Sequence, residues 1–201
     1  MNRRGEINLK VIGIIFLVFG ISAIINTILK TETGLAPILW MSYISLILIG
    51  IGVLRKNSSL VASQVVIIGI PYILWNIDFF HYLFNKESLL GITDYFFEPG
   101  PLIGKIISLQ HLFNLPLSIF SIYLIKLENK SYWKLSLFQI TIIFFITRLA
   151  TTYEQNVNCV YQNCANFDFG IWYPLQWFLS YIMMILITSF LLNKSLIKKT
   201  H

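Results

Sequence analysis

Six apolar runs dominate this chain: Val11–Leu29, Leu35–Leu54, Leu60–Phe80, Leu102–Ile125, Trp133–Leu149 and Ile171–Leu192. A hydrocarbon layer about 30 Å thick needs roughly 20 residues of helix, and each run is close to that length. In hydrocarbon every backbone N–H and C=O must find a partner within the protein, so helices are the expected form. The chain therefore reads as one all-α, polytopic membrane domain, residues 1–201, with six transmembrane helices. Composition agrees. Charged residues make up 12% of the chain, about half the soluble norm of ~25%, and the mean hydropathy is +0.72. A soluble globule and a disordered chain are excluded. The first run follows Arg3, Arg4 and Lys10, as a signal peptide would. It is too long for an h-region, and Asn26, Thr27 and Lys30 follow it in place of a small-residue cleavage site, so an uncleaved helix is expected.

Charge sets the direction. With the N-terminus inside, the inner segments hold Arg3, Arg4, Lys10, Arg55, Lys56, Lys126, Lys130, Lys134, Lys194, Lys198 and Lys199, 11 of the 15 basic residues. The outer side holds Lys30, Lys86, Lys105 and Arg148, together with seven of the nine acids. The positive-inside rule then places both termini in the cytoplasm of a cell whose plasma (inner) membrane the chain spans. The net charge of +6 faces anionic lipid, so membrane lipids are the expected partners and no nucleic acid is needed.

Polar groups collect toward the outer side. The third run ends with Asp78 and His81, three apart on one helix face. Such a pair can hold a metal or act as an acid–base couple; it can equally sit as a hydrated helix end. The fourth run carries Ser108, His111, Asn114, Ser118 and Ser121 as one polar stripe, which should face the bundle interior and serves either as helix glue or as a site. Pro116 lies within that stripe and cannot donate to a carbonyl four residues back. Arg148 at the end of the fifth run can snorkel to lipid phosphate, pair with Asp78, Asp94 or Glu154, or clamp an anionic group. Gln176 and Ser180 share a face of the sixth run. The inner half of the spans reads as mostly apolar, with Gln139 an exception. The outer loop 81–101 is rich in aromatic residues and is expected as an interfacial anchor, with a lid over a pocket as the alternative. Cys159 and Cys164 both fall in the last outer loop, where an oxidising compartment favours a disulfide. Free thiols and a metal or catalytic role are the alternatives.

Four blocks carry a resemblance: Trp75–Phe80 (WNIDFF), Gly91–Pro99 (GITDYFFEP), Ser108–Leu117 (SLQHLFNLPL) and Arg148–Tyr161 (RLATTYEQNVNCVY). Together they resemble a family of uncharacterised prokaryotic integral membrane proteins of about this length. The resemblance implies a shared six-helix architecture and no activity, and the family carries an aromatic residue where this chain has Cys159.

Three functions follow from these residues. The first is a membrane enzyme or binding protein with an outward-facing polar pocket for a lipid or other amphipathic molecule. His111 would be its base, Asp78 and His81 would support it, and Asn114, Asp94, Arg148 and Gln176 would bind. A divalent metal at Asp78, His81 and His111 is the cofactor such a set would take. Ser108 and Thr151 are the candidate nucleophiles. The second is a carrier or receptor-like protein for a small solute or ion. The third is a structural or assembly protein whose polar groups only join helices.

Overall fold

A computed structural model describes residues 3–30, 34–127, 131–165 and 170–197. Glu32, Glu128, Lys130, Asp168, Lys198 and Lys199 of the charge pattern lie outside the described residues. Among the described residues all regular structure is helical: α1 (Arg3–Leu29), a 3₁₀ turn (Ala36–Leu39), α2 (Met41–Leu54), α3 (Ser58–Asn85), α4 (Asp94–Phe97), α5 (Leu102–Ser108), α6 (Gln110–Ile125), α7 (Tyr132–Ala150), a 3₁₀ turn (Val157–Cys159) and α8 (Tyr173–Ile197). Five stretches are long and apolar enough to cross a membrane: α1, α3, the α5–α6 pair, α7 and α8. The structure thus supports a multi-pass membrane protein.

The Leu35–Leu54 run is not one helix. α2 has 14 residues and begins only at Met41, because Pro37 sits in the 3₁₀ turn and Trp40 is extended (φ −54°, ψ 124°). The break would orphan backbone groups, and a side chain from far along the chain meets them. Asn158 Oδ1 accepts from Met41 N at 2.7 Å, and Asn158 Nδ2 donates to the Leu39 carbonyl at 2.8 Å.

The Leu102–Ile125 run is also interrupted, at Leu109. The His111 ring there takes the Ser108 carbonyl at 2.7 Å, an acceptor that a regular helix would give to Leu112 N. Leu112 N bonds Leu109 O instead, in the tighter 3₁₀ manner.

α3 is the central helix. Its apolar window is 61% buried, against 22–33% for the other four spans. Val61, Val65 and Ile68 pack there with Phe16, Leu46, Ile49 and Val53 of α1 and α2. α1 and α2 approach closely because Gly13, Gly20 and Gly50 leave room. A Cβ on Gly50 would lie 2.8 Å from Leu17 Cγ and 3.0 Å from the Gly13 carbonyl. Small residues at such crossings let helix backbones pack without the help of water.

Opposite ends of the bundle differ. At one end Lys56 Nζ meets Glu6 Oε1 at 2.8 Å, and Tyr132 Oη donates to Asn193 Oδ1 at 2.9 Å. The other end carries the 81–101 loop, the α2 break, the α5–α6 break and the disulfide loop. The half of the bundle expected to be apolar contains a buried polar cluster. Ser45 Oγ donates to Gln64 Oε1, Gln64 Nε2 donates to Gln139 Oε1 and to Ser63 Oγ, and Ser136 Oγ donates to the Ser63 carbonyl.

Candidate functional site

A cavity of about 780 Å³ occupies the loop-rich end of the bundle. Its wall takes Thr27 and Lys30 from α1, Trp40 and Tyr43 from the α2 break, and Tyr72 and Trp75 from α3. Gly91, Ile92 and Tyr95 of the 81–101 loop, Ser108, Gln110 and His111 at the α5–α6 break, and Cys159 and Cys164 of the last loop complete one side. Gln176, Trp177, Ser180 and Tyr181 of α8 close the other. Most of this surface is apolar and aromatic, with a few polar groups among it, which is the usual make-up of a small-molecule site.

The polar part is organised around Gln110. Its Oε1 accepts from Tyr72 Oη at 2.9 Å and from Asn114 Nδ2 at 3.1 Å. Asn114 Oδ1 in turn accepts from Ser118 Oγ at 3.1 Å. His111 packs between the Trp75 ring, stacked at 4.6 Å, and the Tyr72 ring at 4.5 Å. Because Nδ1 faces the Ser108 carbonyl, which can only accept, the ring's proton belongs on Nδ1. Nε2 is then the acceptor, with Gln110 Nε2 at 3.2 Å. A ligand hydroxyl that displaces the Gln110 amide can donate to this neutral imidazole at Nε2.

The expected site residues separate into two sets. His111 and Gln176 line the cavity, as do Cys159 and Cys164, which form a disulfide. Asn114 stands behind His111, fully buried. The remaining four do not line it. Asp78 is fully buried, and its carboxylate accepts from Leu89 N (2.8 Å), Leu90 N (2.6 Å), Thr93 N and Thr93 Oγ1 (2.8 Å each). Both oxygens are committed to folding the loop back onto α3. His81 Nδ1 lies 3.0 Å from the Glu87 carbonyl in the same loop. Asp94 heads α4 and does not line the cavity. Arg148 Nη1 donates to the Val160 carbonyl at 2.8 Å, and its guanidinium lies over the Tyr161 and Phe144 rings. It makes no ion pair with Asp78, Asp94 or Glu154: the last-loop carbonyl and the two rings take it instead. The Thr152 hydroxyl holds the exposed Glu154 carboxyl below its ordinary value. A metal triad of Asp78, His81 and His111 is not assembled. Among the described residues no group of three His, Cys, Asp or Glu side chains is placed to hold one. Of the two candidate nucleophiles, Thr151 Oγ1 is bonded to the Thr147 carbonyl, and Ser108 Oγ, at the cavity wall, to the Gly104 carbonyl.

The 81–101 loop folds over the end of α3 through stacked rings. Phe97 lies 3.8 Å from Tyr82 and 5.4 Å from Phe79, both on α3. Its Tyr95 hydroxyl accepts from Trp75 Nε1 at 3.1 Å.

Three residues central to the site escaped the sequence reading: Gln110, Tyr72 and Asn158. The i, i+4, i+8 spacing of Gln110, Asn114 and Ser118 was a usable signal for the first. Asn158 had none, since the α2-break groups it holds are more than 100 residues away. The chain matches no protein-family model, no curated protein and no solved structure.

Proposed function

We propose that this chain is a plasma-membrane protein that binds an amphipathic small molecule in its loop-end cavity. The observation that carries the reading is the wall itself: aromatic rings from α2, α3, α4 and α8, with Trp40 before α2, surround a compact polar patch at His111 and Gln110. An apolar tail has rings and aliphatic groups to lie against, and a polar head has the His111 acceptor and the Gln110 amide.

The excess of basic residues at the other end orients the cavity outward, with both termini cytoplasmic. α2 serves as the sixth span. Its 14 residues rise about 21 Å, and the four-residue 3₁₀ turn adds about 8 Å. A resemblance to uncharacterised prokaryotic membrane proteins of six helices supports this topology.

The test uses the full chain in lipid nanodiscs. Oleic acid and a lysophospholipid are titrated while thermal unfolding is followed. A ligand at 100 times its Kd should stabilise the protein by about 2.7 kcal/mol. Ser180→Trp, which fills the cavity, should remove that stabilisation while leaving the unliganded protein folded. No stabilisation by any amphiphile would refute the reading. His111→Ala separates binding from catalysis: an enzyme keeps its fold and loses turnover, whereas a pure binder loses affinity only.

A carrier is the second reading. The Ser45–Gln64–Gln139 cluster favours it, since this cluster extends polar groups below the cavity into the other half of the bundle. Uptake of a labelled ligand into proteoliposomes, lost in Gln64→Leu, would separate it from a binding protein.

A further inference from the structure

The disulfide does not sit apart from the cavity; it is part of the wall. A disulfide that only staples a loop is needed where little else holds the loop. Here the loop is held by other means. Asn156 Oδ1 accepts from Tyr161 N and Gln162 N, and Tyr173 Oη donates to the Cys159 carbonyl at 2.6 Å. Asn158 is fixed on both sides by Met41 N, Leu39 O and Thr147 Oγ1, and its own carbonyl accepts from Trp177 Nε1. With the S–S bond open, these contacts would keep Cys159 in place, and Asn156 Nδ2, donating to the Gln162 carbonyl at 2.9 Å, would hold the chain two residues before Cys164. The backbone also holds Asn156, Asn158 and Cys159 at positive φ (37°, 55° and 54°). For a residue such as cysteine that conformation costs roughly 1–2 kcal/mol and persists only where surroundings impose it; such strain concentrates at functional positions. Asn156 Nδ2 lies 3.7 Å from Cys164 Sγ, a donor placed to stabilise a thiolate.

We propose that Cys159 and Cys164 form a redox centre that passes two electrons to a membrane quinone bound in the cavity. This rests on the amphipathic-ligand reading and names the ligand class. A quinone is a flat neutral ring with two carbonyl oxygens and an apolar tail. The wall offers planes for the ring at Trp40 and Trp177, neutral amides at Gln110 and Gln176, and, where a hydroquinone hydroxyl displaces the Gln110 amide, an acceptor at His111 Nε2.

The step balances as follows. In the dithiol state the Cys164 thiolate adds to a ring carbon, forming a C–S bond and placing an electron pair on a ring oxygen, which takes a proton. The Cys159 thiolate then attacks Cys164 Sγ, so the S–S bond forms as the C–S bond breaks. The ring leaves as hydroquinone after a second protonation. Two S–H bonds are lost, one S–S bond is made, and two electrons and two protons pass to the quinone. A dithiol substrate on the outer side returns the centre to its reduced state by thiol–disulfide exchange.

The experiment uses the full chain in nanodiscs. The protein is reduced with dithiothreitol, freed of reductant and mixed with decylubiquinone. Quinone absorbance and thiol mass mapping are read together. Wild type should yield one hydroquinone per disulfide formed. Cys164→Ser should reduce no quinone. Ser180→Trp should lose quinone reduction yet still reform its disulfide with the water-soluble oxidant diamide; Ser42→Phe replaces it if Ser180→Trp does not fold. Persistence of the wild-type dithiol in decylubiquinone overturns the proposal, and so does quinone reduction by the cavity-blocked variant at the wild-type rate. If decylubiquinone raises the melting temperature without oxidising the thiols, the redox centre falls and the ligand reading stands. If neither decylubiquinone nor the earlier amphiphiles shift melting, both fall.

Discussion

Removing the Asn158 side chain tests whether the last loop holds the α2 break together. The residue is 4% exposed, and its amide meets the Leu39 carbonyl, the Met41 N–H and Thr147 Oγ1. Asn158→Ala leaves the first two without a partner at a point where α2 cannot supply one. Each orphaned buried backbone group costs about 1–3 kcal/mol. Alanine also pays roughly 1–2 kcal/mol for φ 55°, a conformation asparagine tolerates better. The expected loss is therefore about 3 kcal/mol or more. Asn158→Gly carries the same hydrogen-bond loss without the backbone cost, so it should be less damaging than alanine by about 1 kcal/mol. Asn158→Asp keeps an acceptor for Met41 N but turns a carboxylate oxygen toward the Leu39 carbonyl, and should fall between wild type and glycine only if water enters. Reversible denaturant titration in mixed micelles gives the three values. If alanine and glycine both lie within about 0.5 kcal/mol of wild type, where inconsequential surface changes fall, the cross-chain cap is not what holds the break.

Other perturbations probe separate parts of the same end and of the helix crossing. Asp78→Asn replaces an acceptor facing N–H groups with an amide that must turn a donor toward some of them. Hydrogen bonds to a charged group contribute about 1.5–3 kcal/mol each, so the loop around Leu89–Thr93 should open, seen as faster limited proteolysis there; unchanged cleavage would show the loop is held otherwise. Gly50→Leu places its Cβ 2.8 Å from Leu17 and 3.0 Å from the Gly13 carbonyl, and overpacking of this kind costs about 1–3 kcal/mol in thermal unfolding. Gly100→Ala, with open space around its Cβ, should leave melting unchanged. Tyr72→Phe removes a donor to Gln110 Oε1, which still keeps Asn114, so about 1 kcal/mol is expected, with a larger effect on ligand affinity than on the fold.

The long helices were legible because their apolar runs are local and continuous. α1, α3, α7 and α8 contain nearly all of those runs, with extensions at the start of α1, which begins at Arg3, and at the ends of α3 and α8, at Asn85 and Ile197. The α2 boundary was not legible, since its first residue is set by an asparagine 117 positions away. Gln110 was missed for a related reason. Its place four residues before Asn114 is on the polar stripe, but its role as hub depends on Tyr72, 38 positions away. Arg148 and Asp78 mark the limit of charge patterns. Sequence pairs a charge with an opposite charge, but here the guanidinium serves a carbonyl and two rings, and the carboxylate serves three backbone N–H groups and a hydroxyl. Backbone partners of this kind carry no mark in the side-chain alphabet.

The two helix interruptions explain why the polar groups gather where they do. A bundle in hydrocarbon tolerates irregular backbone only where protein or a water-filled space satisfies it. Both interruptions, at Trp40 and at Leu109, lie at the cavity wall, and each is satisfied by a side chain: Asn158 for the first, His111 for the second. The residue that breaks the α5–α6 helix is therefore also the one whose other nitrogen meets Gln110 at the cavity wall. The residue that caps α2 sits beside the cysteine that lines the same space. Helix geometry and cavity chemistry share these two side chains, so a ligand drawing on His111 Nε2 acts on the α5–α6 break, while the loop that holds α2 keeps its place as the sulfurs change oxidation state.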